Sequence, residues 1–166
     1  ILEPVQAESG IIPADKKWMQ SIAEKCKESG ALLILDESQT GFGRTGTLWA
    51  FMQYNIVPDV LVLAKAIGGG MPLGAFIADK NVMSSLTHQP VLGHLSTFGG
   101  HPVSCAAGKA ALQFLLDSQL IAQVESKGVF LESLLKHKNI IYHSRKGLWM
   151  SLFFNDFDTT LKIVNA

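Results

Sequence analysis

The sequence contains little cysteine and no excess of charge of either sign. Its two cysteines, Cys26 and Cys105, are far apart and lie in no spacing typical of metal ligands. A disulfide framework is therefore excluded, and two isolated thiols are typical of a protein from the reducing cytoplasm. Because 14 basic residues balance 14 acidic residues, the chain has no surplus charge with which to bind nucleic acid or an anionic membrane.

Long apolar runs and metal-binding motifs are also absent. No run approaches the roughly 20 apolar residues that a membrane-spanning helix needs, and no secretory signal opens the chain. The five histidines form no pair at helical spacing, so no metal site is predicted. The first residue is Ile1 rather than methionine, and Ala166 closely follows a strand-like stretch. We therefore interpret the chain as a fragment of a longer protein.

The first helix is predicted from the residues at its ends. Pro13 and Asp15 introduce it, and Gly30 stops it, so the helix extends to about Ser29. Apolar residues recur along it at spacings of three and four, which predicts a single buried face. This face consists of Trp18, Met19, Ile22, Ala23 and Cys26.

Three short apolar runs predict a buried sheet. The run at 31–35 ends at Asp36, the run at 59–64 ends at Lys65, and the run at 73–78 follows a glycine-rich turn. Such runs are too short for helices and do not alternate with polar residues, which is typical of parallel strands covered on both faces. The predicted fold class is therefore α/β, with a mostly parallel sheet.

The last third of the chain follows a different pattern. Pro102 suits the first turn of a helix, a second helix covers about 120–135, and strands at 140–143 and 148–154 flank Gly147. The change to a helix and hairpin predicts a domain boundary near 117–120. We expect residues 1–119 to belong to a large domain and residues 120–166 to begin a smaller C-terminal α+β domain.

Asp36 and Lys65 each end a predicted buried strand. Because ligands bind outside the carboxyl ends of the strands in open α/β sheets, these two side chains are expected to meet at one site. A partly desolvated lysine can act as an amine nucleophile, and a neighbouring aspartate can keep a pyridinium nitrogen protonated. Taken alone, a lysine after a strand is more often a solvated strand end, and an aspartate there is more often a helix cap. Taken together, and with the glycines after Lys65, the two residues favour a functional site and a purely structural role about equally.

Two further segments carry weaker signals. Thr97 lies just before the helix at Pro102, where free backbone N–H groups suit a phosphate, but a hydroxyl cap explains it equally well. The glycine-rich segment 41–46 opens no helical pattern and precedes no ribose-binding acid, so it does not indicate a dinucleotide site. No Gly-x-Ser-x-Gly motif supports a serine hydrolase.

Several motifs, in order, resemble those of the class III (ornithine/acetylornithine-type) aminotransferases, which are fold-type-I enzymes dependent on pyridoxal 5′-phosphate (PLP). They are EPVQAE at 3–8, LILDESQTGFGRTG at 33–46, PD at 58–59, AKAIGGGMPLGA at 64–75 and STFGG at 96–100. The resemblance covers nearly the whole chain. It implies the second half of the large PLP-binding domain, with a mostly parallel sheet, and the beginning of the small C-terminal domain.

The resemblance also implies roles for individual residues. Lys65 matches the lysine that forms a Schiff base with the cofactor and later moves the substrate proton, and Asp36 matches the partner of the pyridine nitrogen. Gln39 matches the glutamine at the cofactor's phenolic oxygen. Thr97 matches the threonine that reaches the phosphate of the neighbouring subunit. Glu8 matches the glutamate that gates a substrate-binding arginine in ornithine-type members.

Two other motif residues are treated separately. Ser38 stands where the family usually has valine or isoleucine against a face of the cofactor ring, which implies a looser or more polar contact there. Arg44 lies inside the longest motif and is given a structural role.

The implied activity is transfer of an amino group in a cytoplasmic homodimer with shared active sites. The small-molecule substrates are an amino acid or distal amine, resembling ornithine or acetylornithine, and a 2-oxo acid such as 2-oxoglutarate. The phosphate loop is expected before Ile1 and the carboxylate-binding arginine beyond Ala166, so the isolated chain is expected to be inactive. Two alternatives stay open: an aminomutase or decarboxylating transaminase on the same fold, or a non-catalytic truncated fragment.

Overall fold

The computed structural model describes residues 1–89, 91 and 93–165. The strands in this part of the chain are β1 (Val5–Gln6), β2 (Ile12–Pro13), β3 (Ile34–Asp36), β4 (Val60–Leu63), β5 (Ala75–Ala78), β6 (Ile140–Lys146) and β7 (Trp149–Phe154). The α-helices are α1 (Lys16–Ser29), α2 (Lys80–Ser84), α3 (Pro102–Asp117), α4 (Val124–Leu134) and α5 (Phe157–Val164). Short 3₁₀ helices cover Ala50–Tyr54, Lys65–Gly68 and Ile121–Gln123.

The central sheet has the order β3-β4-β5. The parallel pairing of β3 with β4 agrees with the sequence prediction, and a bridge from Leu2 to Leu35 adds a parallel neighbour beside β3. The third run does not continue this arrangement, because β5 is antiparallel to β4. A parallel crossover needs a dozen or more residues, usually with a helix, and the short connection from β4 to β5 holds only a 3₁₀ turn.

Helix α1 has the predicted ends but a narrower buried face. The Asp15 side chain caps it by accepting from the Trp18 N–H at 2.9 Å, and Gly30 ends it with a left-handed backbone (φ 72°). Met19 is fully buried in a cluster with Leu33, Leu35 and Tyr54. Trp18 was predicted to lie on this face but is 48% exposed. It is rotated by about 100° from Met19 along the helix and therefore lies at the edge of the face.

Helix α3 packs directly on the turn that follows β4. A Cβ atom added to Gly108 would meet the Ile67 carbonyl oxygen, and one added to Gly69 would lie 2.7 Å from the Ala107 carbonyl oxygen. The helix and the turn can approach this closely because both residues lack a side chain. The helix starts at Pro102, as predicted.

The C-terminal elements form an α4–hairpin unit. The Arg145 guanidinium on β6 binds Glu125 at 2.7 Å and Glu132 at 2.9 Å on α4. The hydrogen bond from Arg145 lowers the pKa of Glu125. Hydrogen bonds from His143, which has the larger effect, and from Arg145 lower the pKa of Glu132. The hairpin contacts the N-terminal segment, where the Ser144 hydroxyl donates to the Ile11 carbonyl oxygen at 2.5 Å.

Two sequence predictions for this region need correction. Helix α4 starts at Val124 rather than near residue 120, because a 3₁₀ turn precedes it. Helix α5 was not predicted, although Asp156 caps it by accepting from the Thr159 N–H at 2.7 Å. The proposed boundary between residues 119 and 120 falls between α3 and the 3₁₀ turn, and the two-domain division stays a prediction.

We expect Gly108→Ala to destabilise the complete protein by about 1–3 kcal/mol, because the new methyl group meets the Ile67 backbone and Leu73. A loss of stability would be diagnostic of this close contact, because alanine normally stabilises a helix interior by about 1 kcal/mol relative to glycine. Urea unfolding measures the effect, with Gln113→Ala on the exposed side of α3 as the control. Stabilisation by Gly108→Ala would contradict the close packing of α3 on the turn.

Candidate active site

Asp36 and Lys65 lie at the same edge of the central sheet. Asp36 pairs in register with Val62, and Lys65 follows the end of β4 directly after Ala64. The Asp36 N–H donates to the Leu2 carbonyl oxygen at 2.8 Å, and its Oδ1 accepts from the Ser38 N–H at 2.9 Å. Within the described residues no donor contacts Oδ2. Asp36 is therefore fixed through one oxygen, and the other is available to a ligand.

Lys65 has an unusual backbone conformation. Its φ of 52° is in the left-handed region, which a residue with a side chain adopts at a cost of about 1–3 kcal/mol. It begins the 3₁₀ turn that ends at Gly68, and its side chain is exposed. Strained conformations of this kind cluster at functional sites, where the surrounding structure enforces them. Here α3 supplies that support through Gly69 and Gly108.

Glu37 is a buried carboxylate whose importance the sequence analysis did not identify. It is 1% exposed and accepts hydrogen bonds from the N–H groups of Ala50 (2.6 Å) and Phe51 (2.7 Å) and from the Thr40 hydroxyl (3.1 Å). Burial raises its pKa, and the three bonds partly oppose this rise. The only sign of this role in the sequence is that an acidic residue stands between Asp36 and Ser38, and that position alone does not indicate whether its side chain is buried.

The segment 41–46 folds as a loop with two left-handed glycines. Gly43 has φ 82° and Gly46 has φ 101°, and the Gly43 N–H donates to the Leu48 carbonyl oxygen at 3.2 Å. The rings of Phe42 and Trp49 pack edge to face with centroids 5.0 Å apart. The loop leads into the 3₁₀ helix Ala50–Tyr54 rather than into a long helix.

A cavity of about 440 Å³ opens beside Lys65. On the sheet side its walls are Ser38, Gln39, Lys65, Ala66 and the loop residues Gly41, Phe42, Gly43 and Arg44. The opposite wall comes from α3, α4 and the hairpin and consists of Leu115, Leu120, Ile121, Val124, Lys127, Leu148 and Trp149. The structure therefore brings three of the predicted site residues, Ser38, Gln39 and Lys65, to one cavity.

Glu8 and Gln39, which were singled out separately, lie beside each other. The Gln39 Nε2 donates to the Glu8 Oε1 at 3.5 Å, and the Glu8 side chain is exposed. A bond of this length is weak. It nevertheless orients the Gln39 amide, because a carboxylate can only accept and must face the amide nitrogen.

Thr97 does not line this cavity. It is exposed in the described segment 93–100, where neither helix nor strand is found. Neighbouring residues of that segment, Ser96, Gly99 and Gly100, instead line a second cavity against β4 and β5. The structure thus leaves Thr97 apart from the other predicted site residues.

The comparison with known proteins places the chain in a family. The model of the aminotransferase class-III family matches residues 1–156. Ornithine aminotransferase from Plasmodium yoelii is 34% identical over 93% of this chain, with a TM-score of 0.82. Acetylornithine aminotransferase from Elizabethkingia anophelis is 36% identical over 98%, with a TM-score of 0.85. Taurine:2-oxoglutarate aminotransferase from Bifidobacterium kashiwanohense, in complex with PLP and glutamate, is 31% identical over 92%, with a TM-score of 0.80.

The chain belongs to the class III aminotransferase family, and its fold is PLP fold type I. The cofactor of the family is pyridoxal 5′-phosphate. The chain spans only 43%, 43% and 35%, respectively, of the three matched proteins. Among the residues the structure describes, no helix is long and apolar enough to cross a membrane, and no cluster of potential ligands suits a metal ion.

We expect Glu37→Gln to lower the free energy of unfolding by about 1–3 kcal/mol, because the amide nitrogen cannot accept the hydrogen bonds that the carboxylate accepts. Since burial raises the pKa of Glu37 from 4.5, ionisation favours the unfolded state. The contribution of the Glu37 side chain to stability is therefore complete below pH 4.5, and it is lost as the pH rises through the raised pKa of the folded state.

The deficit of Glu37→Gln relative to wild type should therefore shrink as the pH rises above 4.5. Urea unfolding at several pH values measures it, with the exposed Glu24→Gln as the matched control. A deficit that grows with pH would mean that the hydrogen bonds outweigh burial.

Proposed function

We propose that the complete protein is a PLP-dependent aminotransferase in which Lys65 holds the cofactor. The observation that carries this proposal is the placement of Asp36 and Lys65 at the carboxyl ends of two adjacent parallel strands. The cavity beside Lys65, with Gln39 and Ser38 in its wall, supplies space for a small molecule.

The donor set of the described residues fits PLP. An exposed lysine amine suits the aldehyde, the open Oδ2 of Asp36 suits a pyridinium N–H, and the Gln39 amide suits a phenolic oxygen. When bound, the cofactor withdraws electrons from the substrate carbon that loses a proton. The protein supplies orientation and charge.

Each residue then has a defined task. With the cofactor bound, the Lys65 Nζ would attach it to the protein and, once free as an amine, would accept the proton that the donor carbon loses. The Asp36 carboxylate keeps a proton on the ring nitrogen, and the Ser38 N–H holds that carboxylate in place. The Ser38 side chain faces the ring, and Glu8 takes part in substrate binding through its position beside Gln39.

The same proposal includes a homodimer with shared active sites. Thr97 lies in an exposed segment whose large apolar side chains, Leu95 (74% exposed) and Phe98 (79% exposed), favour a covering partner. In this arrangement Thr97 serves the cofactor phosphate of the neighbouring subunit.

The proposed substrates are small amino and oxo acids. The names of the matched ornithine and acetylornithine aminotransferases support a donor with a distal amine. The matched taurine:2-oxoglutarate enzyme supports 2-oxoglutarate as the acceptor. The two unpaired cysteines agree with a cytoplasmic location.

Lys65→Ala in the complete protein should reduce turnover of L-ornithine or N-acetylornithine with 2-oxoglutarate by about 10³-fold or more, because the variant loses the amine that is proposed to hold the cofactor and to carry the proton. A coupled assay of glutamate formation measures it, and Lys17→Ala on the exposed face of α1 is the control. Turnover near the wild-type rate would remove Lys65 from the mechanism. Products of rearrangement or decarboxylation would instead favour the alternative PLP-dependent activities, those of an aminomutase or a decarboxylating transaminase.

Asp36→Asn should weaken PLP binding and slow proton abstraction by about 10²–10³-fold, because the ring nitrogen loses its charged partner. The asparagine oxygen can still accept from the Ser38 N–H, so the fold is expected to persist. Stopped-flow absorbance of the first half-reaction gives the rate. An unchanged rate would limit Asp36 to its structural bond with Ser38.

A further inference from the structure

Glu37 stands in the sequence between two residues of the proposed cofactor site, yet no step of the proposed mechanism uses it. Its side chain is 1% exposed. Each carboxyl oxygen accepts a backbone N–H, that of Ala50 at 2.6 Å and that of Phe51 at 2.7 Å, and the Thr40 hydroxyl adds a third bond at 3.1 Å. A buried group with three directed bonds is held in one position, because leaving any of them unmade is costly.

The same residue fixes the turn that carries Gln39. The Thr40 side chain donates to the Glu37 carboxyl group, and the Gly41 N–H donates to the Glu37 carbonyl oxygen at 3.0 Å. The Glu37 N–H in turn donates to the Val62 carbonyl oxygen of β4 at 2.9 Å. These bonds close one turn that is anchored to the sheet, with Gln39 at its centre and in the wall of the cavity.

The carboxyl group also holds the far end of the loop. Ala50 begins the short 3₁₀ helix, and Trp49, the residue before it, lines the cavity. A Cβ atom added to Gly41 would lie 3.1 Å from the Trp49 ring and 3.0 Å from the Glu37 carbonyl oxygen, so this ring packs directly on the backbone of the turn. The two parts of the wall that carry Gln39 and Trp49 are thus joined through Glu37.

We infer that Glu37 is a positioning residue for the cofactor and acts through Gln39. The inference rests on the proposed function, in which the Gln39 amide donates a hydrogen bond to the phenolic oxygen of PLP. Such a bond depends steeply on distance and angle, so a small displacement of the turn weakens it. Glu37 itself is buried and does not line the cavity, so its effect on the cofactor is indirect.

Glu37→Gln disturbs this arrangement with little change in side-chain volume. Each carboxyl oxygen faces a backbone N–H, so the amide nitrogen of a glutamine meets a donor in either orientation. At least one bond between the turn and the 3₁₀ helix is therefore lost, and the turn that carries Gln39 is expected to shift.

The test is a double-mutant cycle on the binding of pyridoxamine 5′-phosphate to the complete, cofactor-free protein. This ligand keeps the phenolic oxygen and the ring nitrogen but has no aldehyde to react with Lys65, so its dissociation constant is an equilibrium quantity. Glu37→Gln should raise that constant about tenfold, because the bond from Gln39 is weakened. In the Gln39→Ala background, where that bond is already lost, Glu37→Gln should raise the constant by less than about twofold.

Two further variants separate positioning from loss of stability. Met19→Ala removes a fully buried side chain of the α1 cluster that does not line the cavity, and it destabilises the fold at least as much as Glu37→Gln. Its dissociation constant should stay within about twofold of wild type. Thr40→Val removes only one donor to the Glu37 carboxyl group, so it should stay folded and raise the constant by about threefold.

Absorbance of the PLP-loaded protein gives a second signature. A hydrogen bond to the phenolic oxygen stabilises negative charge there and favours the deprotonated form of the group that joins PLP to Lys65. Its weakening in Glu37→Gln should raise the pH midpoint of the visible absorbance change by about 0.5–1 unit, while Met19→Ala leaves the midpoint in place.

The outcomes distinguish this inference from the proposal on which it rests. An unchanged dissociation constant in Glu37→Gln, or an equal increase with and without the Gln39 side chain, would overturn the inference and limit Glu37 to stability, while the aminotransferase proposal survives. Absence of any PLP attachment at Lys65 in the wild type would overturn the proposed function itself.

Discussion

The site depends on one buried carboxylate, that of Glu37. Its bonds to the N–H groups of Ala50 and Phe51 tie the end of β3 to the start of a 3₁₀ helix, and the intervening residues must form a closed loop. A buried, hydrogen-bonded carboxyl group tolerates little displacement, because any lost bond leaves a buried polar group without a partner. Its neighbours Asp36 and Ser38 are therefore held at the sheet edge, and the loop becomes one wall of the cavity.

Glycine contacts complete the site from two directions. Gly69 and Gly108 let α3 approach the Lys65 turn, while Gly128 and Gly147 let α4 and the hairpin approach the loop at Arg44. At each of these contacts the two backbone segments pack together without a side chain between them. The Lys65 backbone is held in a left-handed conformation against its intrinsic preference, which requires such support.

Much of this architecture could be predicted from the sequence. Capping residues and periodicity predicted α1, and Pro102 predicted the start of α3. Two apolar runs predicted the parallel strands β3 and β4, whose ends carry Asp36 and Lys65. The antiparallel β5, the exposure of Trp18 and the helix α5 were not predicted, because they depend on tertiary packing or on a single cap. Glu37 also escaped prediction, since a local pattern cannot distinguish a buried acid from a solvated one. For Thr97 the sequence motif still carries the proposal, because the described chain does not bring it to the cavity.

The central claim is that Lys65 holds the cofactor at the edge of the sheet. The most direct measurement is borohydride reduction of the complete PLP-loaded protein, followed by peptide mass mapping. The account predicts a visible absorbance band that reduction removes and one reduced PLP adduct, on Lys65. An adduct on a different lysine, or no band and no adduct, would contradict it.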